Sequence, residues 1–311
     1  MSNSESERRI VSGMRPTEKL NLGHLQGVLK SWVQLQHEND CFFFVADLHA
    51  LTTNHENSKN IEQYSFETVV GWLAAGVNPG SCTIFLQSKV PEHTELHLLL
   101  SMITPLSWLE RVPSYKDQQA KLNDKELGTY GFLGYPLLQA ADILIYKAGK
   151  VPVEADQVAH IELTREIARR FNHIYGREEG FEVQAEAAIK LMGKKAAKLY
   201  RDLRRSFLEK GDSEALLKAR ALLEEQQNLS IGDQERLYGY LEGGGRIILS
   251  EPEPILAEPN KVDLGEMVER SKQFEEDPDL VKSVIQEGSR KARLIARETL
   301  EEVKEAIGIG H

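Results

Sequence analysis

The sequence predicts an α/β protein: a Rossmann-like parallel sheet with helices on both faces, joined to a helical insertion and a C-terminal helical region. Two observations predict it. From Arg9 to about Phe171, short apolar runs rich in β-branched and aromatic residues alternate with amphipathic helical patterns, the order expected when each strand returns parallel to the last through a helix laid on the sheet. After Phe181 the strand-like runs cease and helical periodicity takes over, so a separate helical body is expected there. A chain of 311 residues is long enough for more than one domain.

The first strand is expected at Ile10 to Gly13, followed by a turn around Pro16 and a helix from Leu22 to His37 with Gly23 and His24 in its first turn. A helix N-terminus offers unpaired N–H groups and partial positive charge, and a glycine there lets a flat ligand lie against the backbone; such a corner suits a nucleotide. Further strands are expected at Cys41 to Ala46, Thr83 to Gln87 and Val151 to Val153. Between and after them, helices are expected at Ile61 to Ala75, Glu95 to Ile103, Tyr135 to Lys147 and Gln157 to Asn172.

Ala185 to Leu241 reads as almost wholly helical, broken at Gly211-Asp212 and at Ser230 to Asp233, where Asp212 or Ser213, and Ser230, can cap new helices. The three glycines Gly243 to Gly245 then lead into Arg246-Ile247-Ile248-Leu249-Ser250, expected as a strand returning to the sheet. A proline-rich connector follows, and from Asp263 the pattern is helical to a stop at Gly308 and Gly310. The expected divisions are a sheet domain at 1–181, a helical insertion at 182–245, the returning strand and connector at 246–262, and C-terminal helices at 263–311.

Composition narrows the setting. A hydrophobic content of 41% is ordinary for a globular protein. No apolar run approaches the roughly 20 residues that cross a bilayer, and Met1 to Arg9 is polar without a hydrophobic signal core, so a cytoplasmic protein without a membrane partner is expected. Cys41 and Cys82 are far apart in sequence and lie in strand-like runs, which predicts small buried hydrophobes rather than a disulfide framework or a metal site. A formal net charge of -10 argues against indiscriminate coating of nucleic acid. A local basic surface is offered by Lys194, Lys195, Lys198, Arg201, Arg204 and Arg205 at helical spacing; a solvated helix face explains the same spacing.

Tyr135, Gln139 and Asp142 stand at i, i+4 and i+7 of one helix otherwise rich in Leu and Ala, so they project from a single face. A stripe turned to solvent is the plain explanation. The following element favours a ligand instead, because Val151-Pro152-Val153 runs into Asp156-Gln157, a second strand-to-helix turn with polar groups at its end.

Four strings in order carry a family resemblance: Pro16-Thr17 through Leu20-Asn21-Leu22-Gly23-His24; Asp47-Leu48-His49-Ala50-Leu51-Thr52; Gly134-Tyr135 through Ile143-Leu144; and Asp156-Gln157 through Thr164-Arg165. Together they resemble the tryptophanyl-tRNA synthetases, a family of class I aminoacyl-tRNA synthetases. The tail from Asp263 to Gly308 is similar to the family's C-terminal helices, and the stretch from about Glu182 to Leu249 to the insertion of a bacterial subgroup.

The resemblance implies a homodimer that joins L-tryptophan to ATP with Mg²⁺, forming tryptophanyl-adenylate, and passes the acyl group to tRNA(Trp), with the basic insertion helix and the C-terminal helices touching the tRNA. It implies that Asn21, Gly23 and His24 form the HIGH signature and carry catalysis. ATP is implied beside Arg15, Pro16, Thr17, Gly23, His24, Glu154, Ala155 and Asp156. Tryptophan is implied among Val11, Gly13, His49, Tyr135, Gln139, Asp142, Val151, Val153 and Gln157, with Asp142 at the indole N–H. That last assignment is chemically apt, since an indole nitrogen only donates and a carboxylate only accepts.

The chain departs from the family pattern at Glu18, at Asn21 and at Glu154-Ala155, where glycine, histidine or threonine, and Gly-Glu are usual; a carboxylate at Glu154 predicts altered ATP affinity. The family's lysine-bearing KMSKS loop is also missing, since Asn260-Lys261-Val262 runs straight into Asp263, and Gly193 to Lys198 lies too early in the chain to replace it. Either a mobile loop of several tens of residues belongs between Val262 and Asp263, which is the expectation, or the chain is deleted there and activates tryptophan poorly; an intact mass near 35.1 kDa would overturn the first.

Two other readings share features with this one. Tyrosyl-tRNA synthetases use the same Tyr135, Gln139 and Asp142 spacing, and a synthetase-like protein that binds nucleotide or RNA without ligation would not need the lysine loop. A dehydrogenase is disfavoured because no GxGxxG follows the first strand.

Overall fold

The computed structural model describes residues 8–16, 28–112, 129–177, 179–256 and 264–310. The described residues form a five-stranded sheet whose strands are β1 (Arg9–Met14), β2 (Asp40–Val45), β3 (Cys82–Leu86), β4 (Lys150–Val153) and β5 (Glu253–Leu256). Every pairing is parallel and the order is β3-β2-β1-β4-β5. The winding reverses between β1 and β4, and at such a reversal the loops leaving the strands part and open a crevice at their carboxyl ends.

The helices follow the strands. In chain order they are α1 (Lys30–Leu35), α2 (Asp47–Asn54), α3 (Ile61–Ala75), α4 (Glu92–Ser101), α5 (Leu106–Glu110), α6 (Tyr130–Leu133), α7 (Tyr135–Leu144) and α8 (Val158–Tyr175). The expected bounds of α3 agree with those found, and Gly76 closes that helix at a φ of 102°, with its N–H bonded to the Leu73 carbonyl. β2 shows why both faces of the sheet are covered. Its pleat sends Phe43 to one side, stacked on Trp32 at 4.2 Å, and sends Phe42 and Phe44 to the other, against Tyr146 and Phe85.

Cys41 and Cys82, distant in sequence, are register partners on β2 and β3. Both are free and buried, and burial pushes each thiol up to about 12.

The returning strand is displaced from its expected place. Arg246 to Ser250 is irregular, and β5 forms instead at Glu253–Leu256. The reason lies in α8: Asn172 Oδ1 accepts the N–H groups of Ile248 and Leu249, its Nδ2 donates to the Leu249 carbonyl, and the Arg246 N–H bonds the Gly176 carbonyl. The backbone groups that a strand would need are already engaged. Pro254 is tolerated in β5 because β5 is an edge strand.

Two compact units result, one built on Glu7–Ile167 and Glu251–Leu300, the other on Ala168–Ser250 and Glu301–His311. The second contains α9 (Phe181–Leu191), α10 (Lys194–Lys210), α11 (Ser213–Glu224) and α12 (Ile231–Leu241). Ala185, Ile189, Tyr200, Leu223, Leu237 and Leu241 are buried together there, and the Tyr200 hydroxyl donates to the Leu237 carbonyl at 2.6 Å. Asp212 caps α11 and Ser230 caps α12.

The C-terminal helices are α13 (Leu264–Glu276) and α14 (Pro278–Ile307). In the sheet unit, α13 packs on α3, and α14 crosses the edge strand β3 so closely that a Cβ at Gly288 would lie 1.8 Å from the Ile84 carbonyl oxygen. Arg293 and Arg297 of α14 donate to Glu92 Oε1 at 2.8 and 2.9 Å, fastening it to the first residue of α4. Burial pushes the Glu92 carboxyl up, but the two guanidiniums outweigh it and hold the group below its usual range.

Candidate active site at the sheet reversal

A cavity of about 290 Å³ opens at the carboxyl ends of β1 and β4. β1 brings Val11 to Met14, α2 brings His49, α7 brings Tyr135, Gln139 and Asp142, and β4 with the turn after it brings Val151 to Glu154 and Gln157. All nine residues expected around tryptophan therefore line one space. Of the residues expected around ATP, Arg15 and Glu154 line it too. Pro16 is buried nearby in sequence and Ala155 is exposed, neither lining the cavity. Asp156 falls in a single 3₁₀ turn, Ala155–Gln157. Thr17, Asn21, Gly23 and His24 lie outside the described residues.

A larger, more open cavity of about 1050 Å³ lies between α3 and α14. No expected site residue lines it. Size is the weaker guide here; the smaller cavity sits at the winding reversal and gathers the convergent polar groups, which is where ligands of such sheets bind.

The floor of the small cavity is Asp142, 1% exposed. The stripe on α7 thus faces inward rather than to solvent. His49 Nε2 lies 2.8 Å from Asp142 Oδ2, and His93 Nδ1 lies 2.6 Å from Oδ1. Gln87 Nε2 donates to both oxygens at 2.8 and 2.9 Å, while Gln87 Oε1 accepts the His49 backbone N–H at 3.3 Å. Burial alone would raise the carboxyl pKa, but the donors from His49 and His93 outweigh it and bring it to about 2. At neutral pH the cavity therefore ends in a buried, ionised acceptor.

Local sequence explains how these groups meet. Asp47 opens α2, where its carboxylate accepts the Leu48 and Ser88 N–H groups and the Ser88 hydroxyl; this ties the turn after β3 to the start of α2 and sets His49 beside Gln87. Burial raises the Asp47 carboxyl above its usual value despite those bonds. Gly13 is needed for a steric reason: a Cβ there would lie 2.4 Å from the tip of the Phe44 ring. On the cavity wall, the Tyr135 hydroxyl lies 3.0 Å from Nε2 of buried His160.

Sequence reasoning missed Gln87 and His93, both 0% exposed. A signal existed. Gln87 directly follows β3, and His93 lies in the first turn of the next helix, so both belong to the carboxyl end of the sheet where α/β sites assemble.

The chain was compared with known proteins. A family profile described as tRNA synthetases class I (W and Y) matches residues 3–198. A tryptophan–tRNA ligase of Thermotoga maritima is 43% identical over 97% of this chain and 99% of its own length. The chain belongs to the tryptophan branch of the class I tRNA synthetases. A tryptophan–tRNA ligase of Ralstonia nicotianae is 63% identical over 82% of this chain, an alignment spanning 64% of that relative. The crystal structure of tryptophanyl-tRNA synthetase from Campylobacter jejuni superposes with a TM-score of 0.63 at 26% identity, covering 96% of this chain and 99% of the other. These relatives favour the tryptophan reading over the tyrosyl and non-ligating ones.

The 311 residues run without interruption from Val262 to Asp263, so the passed-over lysine loop is corrected: the sequence itself lacks it at that point. The basic helix α10 is also partly engaged. Arg204 donates to the Tyr240 carbonyl at 2.7 Å and lies over the Tyr240 ring, while Arg201 and Arg205 pair with Glu186 and Asp202. Lys194, Lys195 and Lys198 remain exposed.

Proposed function

We propose that the cavity at the sheet reversal holds L-tryptophan with its indole N–H donated to Asp142, and that the enzyme activates it with ATP for transfer to tRNA(Trp). The buried, ionised carboxylate at the cavity floor carries this reading, because it rewards a ring that donates and rejects one that does not. His49, Val11, Val151 and Val153 flank the ring. Tyr135, Gln139 and Gln157 hold the amino and carboxylate ends. Gly13 leaves the floor of the entrance clear.

In the first step a tryptophan carboxylate oxygen attacks the α-phosphorus of ATP, the bond to the bridging oxygen breaks, and pyrophosphate leaves. In the second a hydroxyl of the tRNA terminal adenosine attacks the acyl carbon, and AMP departs with the bonding electron pair. No covalent enzyme intermediate is needed, so the protein's task is alignment and charge stabilisation. Arg15 at the cavity supplies positive charge, and Asn21, Gly23 and His24 are assigned to the nucleotide by their place in the signature. Mg²⁺ is assigned to the MgATP substrate, whose phosphate oxygens are its natural ligands.

With no lysine loop, stabilisation of the leaving group falls to the cations this chain retains. Arg15→Ala is expected to lower the rate of tryptophan-dependent ATP–pyrophosphate exchange about 10²–10³-fold with little change in tryptophan affinity; equal loss of both would remove Arg15 from the nucleotide. Exchange measured across the amino acids tests the whole proposal. Tryptophan-dependent exchange is the expected result, and exchange driven only by tyrosine overturns it.

We place the reaction in the cytoplasm; among the described residues no helix is long and apolar enough to cross a membrane. We also assign a two-fold homodimer. Its support is the run of large apolar side chains exposed in close succession, Leu98 at 55%, Met102 at 71% and Leu106 at 60%. Light scattering should give about twice the 35.1 kDa chain mass, and a monomer at working concentration would reject it.

A further inference from the structure

His93 has no place in the site as drawn from the family strings, yet it is 0% exposed and stands between two buried polar groups. Its Nδ1 is 2.6 Å from Asp142 Oδ1, and its Nε2 is 2.7 Å from the Tyr146 hydroxyl. An ionised carboxylate can only accept, so Nδ1 carries the proton; a bare Nδ1 would set two lone pairs against each other. Tyr146 is itself 0% exposed, burial pushes its phenol well above the usual value, and it stays an O–H able to donate to Nε2. The ring is thereby held in one orientation with Nδ1 as the donor to Asp142. Phe44 and Phe85 stand against it at 5.8 and 6.0 Å between ring centroids and leave it little freedom to turn.

The consequence falls on Asp142. A carboxylate held by one donor swivels about its χ angles, whereas one held by His93 on Oδ1, by His49 on Oδ2 and by Gln87 across both has a fixed plane. Both oxygens already accept two contacts each, so an incoming ring N–H must share or take the place of the His49 donor on Oδ2, His49 being the one of the three donors that lines the cavity, while His93 and Gln87 keep the plane fixed. We infer that His93 is a positioning residue that sets the side-chain specificity of the site, holding Asp142 so that it accepts from a ring N–H, with Tyr146 anchoring the far nitrogen of the imidazole. This inference rests on the proposed placement of the indole against Asp142.

The test is calorimetric binding of L-tryptophan and of its benzothienyl analogue, in which sulfur replaces the ring N–H, to the full-length protein. Two amide variants separate positioning from mere occupancy. In His93→Asn the amide nitrogen stands near the place of Nδ1 and still donates to Asp142. In His93→Gln it reaches the place of Nε2, toward Tyr146, and leaves Asp142 without that donor. The wild-type chain should favour tryptophan over the analogue by about 100-fold or more. H93N should keep most of that preference, and H93Q should lose about tenfold of it through weaker tryptophan binding, with analogue affinity unchanged. Tyr146→Phe, which keeps a packed ring, should lose a smaller part of the preference.

If H93Q and H93N behave alike, or if tryptophan and analogue weaken together, His93 is only a core residue and the inference falls; if H93Q does not fold, an unchanged preference in Y146F has the same effect. Asp142→Asn in the same titration separates the two levels. Lost preference in D142N with none lost in H93Q rejects the role of His93 alone, while preference retained in D142N rejects the placement of the indole as well.

Discussion

A carboxylate shut away from water is costly unless donors surround it, and Asp142 shows how this chain meets that cost. Its pKa of about 2, against an ordinary 3.8, makes it a stabilising group whose contribution is present above pH 4 and lost as pH falls through 2. The depressed folded value means that the unfolded chain takes up the proton first on acidification. The difference is worth about 2 kcal/mol. Urea denaturation of the wild type and D142N between pH 6 and pH 2 should show a gap that narrows on acidification; a gap independent of pH would mean that the carboxylate is not ionised in the folded protein. Gly13→Ala should cost about 1–3 kcal/mol and weaken tryptophan binding, because the added methyl meets a Phe44 ring wedged against Phe85 and His93; calorimetric melting and titration check both effects. At this scale the sequence was most legible where contiguous strings place several groups on one turn, as with Tyr135, Gln139 and Asp142. It was least legible for Gln87 and His93, whose meaning depends on a partner on another helix well down the chain.

Among the elements, β3 is one of the two edge strands of the described sheet and so has a flank open to unwanted pairing. α14 answers this by lying on its backbone, which only a residue without a side chain permits at Gly288. Gly288→Ala must move either the helix or the strand, and a loss of about 3 kcal/mol is expected in chemical denaturation; a loss below 1 kcal/mol would show that the contact yields. The alternation of strand and helix from β1 to α8 could be read from hydrophobic periodicity, because parallel strands covered on both faces are short, apolar and β-branched. The last strand could not. Ile247, Ile248 and Leu249 have the composition of a strand, but Asn172 takes their backbone groups, and Pro254 disguises the true strand as a connector. Propensity lost to a single side chain from a distant helix.

At the scale of the whole molecule, the sheet unit is discontinuous in sequence, since its first part ends within α8 and its remainder resumes only at Glu251. Composition announced the helical body between them but not that the C-terminal helices α13 and α14 cover the sheet, because an amphipathic helix does not declare its partner. A chain cut after Ser250 lacks β5, α13 and α14, so it is expected to show no cooperative thermal transition for the sheet and to bind a hydrophobic dye; a two-state melt with retained tryptophan binding would contradict this. Parallel topology makes the same point about time. On the ribosome, β4 emerges roughly a hundred residues ahead of the strand that shields it. At about 5–20 residues per second of synthesis, the nascent polypeptide carries an unprotected flank for many seconds. A chaperone that grips exposed strands would find its footing there.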